Sequence, residues 1–86
     1  MANIIIYSTN SCPYCVRAKQ LLNNKHAAYT EFKIDENPSK KAEMLTLTQR
    51  RTVPQIIING VAIGGFDDLN ALNQAGKLDQ LLNQGE

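Results

Sequence analysis

The stretch Ile4-Ile5-Ile6-Tyr7-Ser8-Thr9-Asn10-Ser11-Cys12-Pro13-Tyr14-Cys15 decides the fold. Its first four residues are the β-branched and aromatic run expected of a strand buried on both faces. Polar Ser8 to Ser11 end that strand. Proline is favoured in the first turn of a helix, so a helix is expected from Pro13, with Cys15, Ala18 and Leu22 on its inner face at spacings of three and four. Arg17, Lys19, Gln20 and Asn23 take its wet face. A strand thus runs into a helix whose start carries two cysteines three positions apart.

Further along, Tyr29 to Ile34 alternates in the two-residue period of a strand with unequal faces. Asn37-Pro38 supplies an N-cap and a first-turn proline for a second helix carrying Ala42, Met44, Leu45 and Leu47, with Arg50 and Arg51 near its C-terminal end, where cations suit the dipole. Ile56-Ile57-Ile58, Asn59-Gly60 and Val61-Ala62-Ile63 form a strong hairpin signal. Gly64-Gly65 stops its second strand, Phe66-Asp67-Asp68 opens a third helix with Leu69 and Leu72 inside, and Gly76 ends it. A short last helix holds Leu78, Leu81 and Leu82, leaving Asn83 to Glu86 to fray. The first β-α-β unit requires a right-handed crossover and parallel strands, and the hairpin an antiparallel pair. The expected fold class is therefore α/β, a mixed four-stranded sheet flanked by three to four helices.

Composition bounds the function. The chain has 86 residues, 43% of them hydrophobic, with nine Lys and Arg against eight Asp and Glu. One small domain over residues 1–86 is expected, with a shallow surface site and little room for an enclosed cofactor chamber. Near-neutral charge without a basic run argues against nucleic-acid or membrane-surface binding. Apolar runs of only three or four residues exclude a membrane-spanning helix, and Met1-Ala2-Asn3 lacks the charged start of a signal peptide. A cytoplasmic monomer is expected.

Two cysteines are too few to staple a small secreted domain, and a bridge between Cys12 and Cys15 would close too short a loop to constrain the unfolded chain much. Cys12, placed just before Pro13, stands at a helix N-terminus, where unpaired N–H groups and the dipole favour an anion. Cys15, within the first turn, is close enough to strike a mixed disulfide formed at Cys12. The expected roles are attack by Cys12, resolution by Cys15, and a reversible Cys12-Cys15 disulfide. A stabilised thiolate gains population, loses intrinsic nucleophilicity in compensation, and keeps its advantage as a leaving group. Zinc is the competing reading of such a pair, but a closed site needs four ligands, and His26 is the only other soft or imidazole ligand in the chain. No metal is expected.

Cys12-Pro13-Tyr14-Cys15, Thr52-Val53-Pro54 and Gly64-Gly65-Phe66-Asp67-Asp68, in that order, resemble the dithiol glutaredoxins, and the likeness covers nearly the whole chain. The resemblance implies a thioredoxin-like fold, a cis Pro54, and a glutathione-dependent thiol-disulfide oxidoreductase that uses glutathione as co-substrate with no tightly bound cofactor. It implies that the Val53 backbone pairs with the cysteine of glutathione, a short strand-edge recognition, flanked by Thr52, which is equally suited to being an ordinary strand-entry residue. It implies that Gly65, Phe66, Asp67 and Asp68 hold the γ-glutamyl end: N–H groups at a helix start accept a carboxylate, and an aspartate pairs with an ammonium. Aspartates there also serve as caps. Tyr14 would line the groove. Arg50, Arg51 and Gln55 stand as solvated side chains within reach of the glycine carboxylate.

Two positions depart from the family pattern. Many glutaredoxins carry lysine three residues before the first cysteine, where this chain has Thr9, and some carry a further cysteine where it has Phe66. The first removes a charge near the thiolate; the second leaves a backbone contact intact. The implied partners are glutathione and disulfide-containing or glutathionylated proteins, ribonucleotide reductase being one candidate. A rival reading has two chains share an iron-sulfur cluster or zinc through Cys12. Pro13 weighs against it because it stiffens the loop.

Overall fold

The computed structural model describes residues 2 to 83, and eight elements run from Ile4 to Asn83. They are β1 (Ile4–Ser8), α1 (Pro13–Asn24), β2 (Thr30–Lys33), α2 (Pro38–Thr48), β3 (Gln55–Ile58), β4 (Val61–Gly64), α3 (Phe66–Gln74) and α4 (Lys77–Asn83). The strands form one mixed sheet in the order β2-β1-β3-β4. β1 runs parallel to β2, with Ile6 opposite Glu31, and antiparallel to β3, with Ile6 opposite Ile56. The hairpin turns at Asn59 (φ 53°) and Gly60 (φ 83°), the left-handed pair that a two-residue turn with the right twist needs. A bulge follows: Ile56 faces Gly64 while Ile57 faces Ala62.

Alternation along the strands sorts their side chains between two cores. Ile4, Ile6, Ile56 and Ile58 join Ala18 and Leu22 of α1, Leu69 of α3 and Leu78 of α4; Tyr7 and Ile57 join Ile34 and Met44 on the opposite face. The inner face of α1 is the expected one, with Cys15, Ala18 and Leu22 buried.

Several local expectations need correction. Ile5 is only half-buried, so β1 is not covered equally on both faces. β2 excludes Tyr29 and Ile34, although the Ile34 N–H still bonds the Ser8 carbonyl at 2.9 Å and the side chain is buried. In α2, Met44 is buried, whereas Ala42 is exposed and Leu47 is 53% exposed, because the helix meets the sheet along a narrow line. The Asn37 side chain does not cap α2; its Oδ1 instead accepts from the Ser39 hydroxyl at 2.7 Å. Arg50 and Arg51 do stand near the C-terminal end of α2, in the loop that follows the left-handed cap at Gln49 (φ 59°). The fraying expected of Gln84 to Glu86 lies outside the described residues, as does Met1; Asn83 closes α4.

Candidate active site

Cys12 is the N-cap of α1, with extended backbone (φ -115°, ψ 107°), and Pro13 takes the first helical position. The Cys15 N–H donates to the Cys12 Sγ at 3.2 Å. This makes the sulfur the acceptor for one of the donors that every helix start leaves without an intrahelical partner. The Cys12 S–H in turn donates to the Val53 carbonyl across 3.6 Å. The loop that delivers Cys12 is held from the side: the Asn10 N–H and Nδ2 both donate to the Asp35 carboxylate, at 3.0 and 3.1 Å, and the Lys33 ammonium donates to Asn10 Oδ1 at 2.7 Å.

Both cysteines are free thiols, but their settings differ. Cys12 is partly exposed, while Cys15 is buried with 1% of its surface accessible. Burial first, and then the contact with the Cys12 sulfur, push the Cys15 thiol up to about 12 from an ordinary 9.0; the Thr9 backbone and the Lys19 charge pull the other way.

Beside Cys12 opens a groove of about 230 Å³. One wall is the loop into β3, with Thr52, Val53 and Pro54, and the Val53-Pro54 peptide is cis. The other wall is the start of α3, with Gly65, Phe66, Asp67 and Asp68, and Tyr14 of α1 closes one end. The structure therefore brings all eight residues singled out for glutathione together around one groove, and it adds Arg50 and Gln55, which the sequence left as solvated side chains. Arg51 is not among the lining residues.

Each wall is braced locally. Gln55 is fully buried, and its Nε2 donates to the Thr52 carbonyl at 3.0 Å and to the Thr52 hydroxyl at 3.2 Å, pinning the loop that carries Val53. Asp68 accepts from the Gly65 N–H at 3.0 Å and from Arg50 at 3.2 Å, which joins the two walls at their rim. Gly64, at φ +118°, holds a conformation that side chains rarely adopt, and a Cβ there would overlap the Asp68 carboxylate. Tyr14 leans on Phe66 with ring centroids 6.3 Å apart, and the Arg17 guanidinium sits 5.2 Å from the Tyr14 ring. The three-residue spacing of Tyr14 and Arg17 on a helix was the available signal for that contact. His26 stands at the far end of α1 beside a separate hollow with Lys25 and Ala27, so it supplies no imidazole here.

A helix-capping sulfur next to an exposed backbone edge, with carboxylates and a helix start across the groove, suits thiol exchange on a small peptide with charged ends. Comparison with known proteins leads to the same chemistry. The family model described as Glutaredoxin matches residues 4–63. The chain is 51% identical over 82 residues to Glutaredoxin 3 of Escherichia coli (strain K12), covering 95% of this chain and 99% of that protein. The solution structure of glutaredoxin from Brucella melitensis superposes with a TM-score of 0.85 at 48% identity, covering 100% of this chain and 94% of that one. The crystal structure of a buckwheat glutaredoxin-glutathione complex does so with a TM-score of 0.88 at 31% identity, covering 96% and 78%.

Proposed function

The chain belongs to the glutaredoxin family, and from that premise we propose that Cys12 and Cys15 divide between them the two halves of its glutathione-dependent thiol-disulfide oxidoreductase reaction. The Cys12 thiolate attacks a sulfur of a protein disulfide or glutathionylated cysteine, forming a mixed disulfide and expelling a thiolate. Either the Cys15 thiolate then attacks the Cys12 sulfur and the bound partner leaves as thiolate, or a glutathione thiolate attacks the partner sulfur of the mixed disulfide and Cys12 leaves as thiolate. When Cys15 resolves, a Cys12-Cys15 disulfide forms, and two glutathione molecules reduce it back to the dithiol while becoming glutathione disulfide.

The observation that carries this assignment is the Cys12 sulfur at the N-cap, accepting the Cys15 N–H at 3.2 Å beside Val53. A negative sulfur is a better acceptor for that donor than a neutral one, so the contact favours Cys12 as attacking and leaving group. Glutathione lies along the groove with its cysteine paired to the Val53 backbone and its γ-glutamyl carboxylate toward the N–H groups that begin α3. Asp68 is already engaged by Gly65 and Arg50, which favours Asp67 for the γ-glutamyl ammonium. Tyr14, Thr52, Pro54, Gly65 and Phe66 complete the enclosure. Arg50 supplies positive charge to a groove that has Thr9 where many relatives have lysine.

The same reading takes residues 1–86 as one domain acting as a cytoplasmic monomer without a tightly bound cofactor, with ribonucleotide reductase among its protein partners. No helix among the described residues is long and apolar enough to cross a membrane. A glutathione-coupled disulfide reductase assay tests the roles. Cys12→Ser should abolish turnover, whereas Cys15→Ser should keep deglutathionylation and lose reduction of protein disulfides. Full activity in Cys12→Ser would overturn the assignment.

A further inference from the structure

One partly buried charged cluster lies outside the groove. Lys19 of α1 donates to Glu31 of β2 at 2.9 Å, and the Ser8 hydroxyl at the end of β1 donates to the same Glu31 oxygen. The Lys19 and Glu31 side chains are 25% and 23% exposed, and Ser8 is fully buried. Strand alternation puts Ser8 on the face of Ile4 and Ile6, the one that α1 covers, and Glu31 on the same face through its pairing with Ile6. Glu31 of β2, anchored by Ser8 of β1, thus holds one ammonium on the sheet-facing side of the helix that carries the cysteines.

Lys19 follows Cys15 by four residues on α1. Helical side chains four apart share a face, and each leans toward the turn before its own Cα, so the Lys19 stem runs back over Cys15. We propose that Lys19, held by Glu31, which Ser8 anchors in turn, is a positioning residue for resolution that offers its positive charge to the Cys15 sulfur as it becomes anionic. The proposal rests on the reading above that Cys15 resolves the mixed disulfide. In that step Cys15 gives up its proton, its sulfur bonds to Cys12, the bond from Cys12 to the partner sulfur breaks, and the departing thiolate takes the electron pair and a proton.

The need for such a group follows from the burial of Cys15, which disfavours its anion, and the two groups do influence each other: Lys19 pulls the Cys15 thiol down, and Cys15 contributes to the upward shift at Lys19. The Lys19 shift comes first from its bond to Glu31, against burial. The other groups facing this cluster are the Cys12 sulfur and the Thr9 backbone next to Cys15, Tyr29 next to Lys19, and Lys33 next to Glu31. Glu31 is pushed up by burial, but its bonds from Ser8 and Lys19 outweigh that and hold it below the ordinary carboxylate range, so it stays charged and keeps Lys19 in place.

The test uses the full chain carrying glutathione on Cys12, mixed rapidly at neutral pH with release of glutathione followed in time. Lys19→Met, which keeps the stem and removes the charge, should slow release severalfold and move the pH–rate profile of release to higher pH. Lys19→Arg should restore both. Glu31→Gln, which keeps the ammonium but loosens its clamp, should slow release by a smaller factor. In a Cys15→Ser background, Lys19→Met should leave deglutathionylation by added glutathione unchanged. Unaltered release in Lys19→Met, or an equal loss in the Cys15→Ser background, overturns the proposal. If Cys15→Ser itself keeps full reduction of protein disulfides, the underlying assignment of Cys15 fails instead. Should Lys19→Met not fold, the contrast between Lys19→Arg and Glu31→Gln carries the test, and equal release in those two overturns it.

Discussion

On one face of the sheet α1, α3 and α4 bury Ile4, Ile6, Ala18, Leu22, Ile56, Ile58, Leu69 and Leu78 in a single hydrocarbon cluster, whereas on the other face α2 alone covers Tyr7, Ile34, Met44 and Ile57. The thinner face is supplemented by polar and aromatic contacts. The Tyr7 hydroxyl donates to Glu43 at 2.6 Å, Lys40 pairs with Glu43 at 3.3 Å and lies 4.0 Å from the Phe32 ring centroid, and the Phe32 ring tilts against Tyr7 at 5.8 Å. The helix bearing the cysteines therefore rests mainly on hydrocarbon contacts that are insensitive to pH and salt, with the Lys19-Glu31 pair added at the edge of the cluster. The helix that leads to Arg50 and the Val53 wall rests partly on contacts that titrate.

The comparison is most sensitive to truncation. Leu22→Ala should cost about 3 to 4 kcal/mol, because a fully buried side chain surrounded by other buried ones leaves a cavity that cannot collapse. Met44→Ala should cost about 2 to 3 kcal/mol, because its half-buried neighbours Phe32, Leu45 and Val53 can settle into the space. Urea unfolding of both variants measures this, and a greater loss at Met44 would reverse the ranking of the two faces.

A smaller effect sharpens it from the alkaline side. A thiol raised on folding stabilises the native state below its unfolded value, and that contribution disappears as the pH climbs toward the folded one. Stability under reducing conditions should therefore fall from about pH 9 upward, with Cys15 responsible for roughly 2 to 3 kcal/mol of the loss by about pH 11. Comparing the pH dependence of wild type and Cys15→Ser in urea isolates that share; parallel curves would show that Cys15 contributes none of it.

The smallest effect concerns the thin face in acid. Bonds from Tyr7 first and Lys40 second hold the Glu43 carboxyl below its ordinary range. That stabilisation is present above the ordinary carboxylate range and is lost as the pH falls through the depressed value. Tyr7→Phe should flatten this acid loss with little change to disulfide reductase turnover, and thermal unfolding at a series of pH values below about 5 reads it.

Where a pattern is local, the sequence was a sufficient guide. The α1 start, the Asn59-Gly60 turn and the α3 start rest on proline, glycine and capping chemistry acting within a few residues. What escaped it depends on distance or on the absence of a marker. The left-handed residue that closes α2 after Thr48 is Gln49 rather than glycine, so nothing announced where the helix stops ahead of Arg50 and Arg51. Leu47 fits an apolar helical spacing and is still exposed, since the spacing does not say how narrow the contact with the sheet is. The groove residues were grouped through the family resemblance rather than by any local rule, and the cis geometry at Pro54 came from the same source. The links from Arg50 to Asp68 and from Lys19 to Glu31 join residues 18 and 12 positions apart, which only the folded chain brings together.

The β3-β4 hairpin has a consequence for the groove it does not touch with its turn. Pro54 and Gly65 border its two open ends, and a Cβ on Gly65 would lie 3.4 Å from the Pro54 carbonyl. The hairpin acts like a caliper: its jaws are the two groove walls, its hinge is Asn59-Gly60 at the opposite end, and the extra residue at the bulge is the setting. Because a strand advances in steps of about 3.4 Å, the extra residue in β4 staggers the α3 wall against the Pro54 wall along the strand direction. The relative placement of the two groove walls is thereby tied to the register that the Asn59-Gly60 turn fixes at the far end of the hairpin.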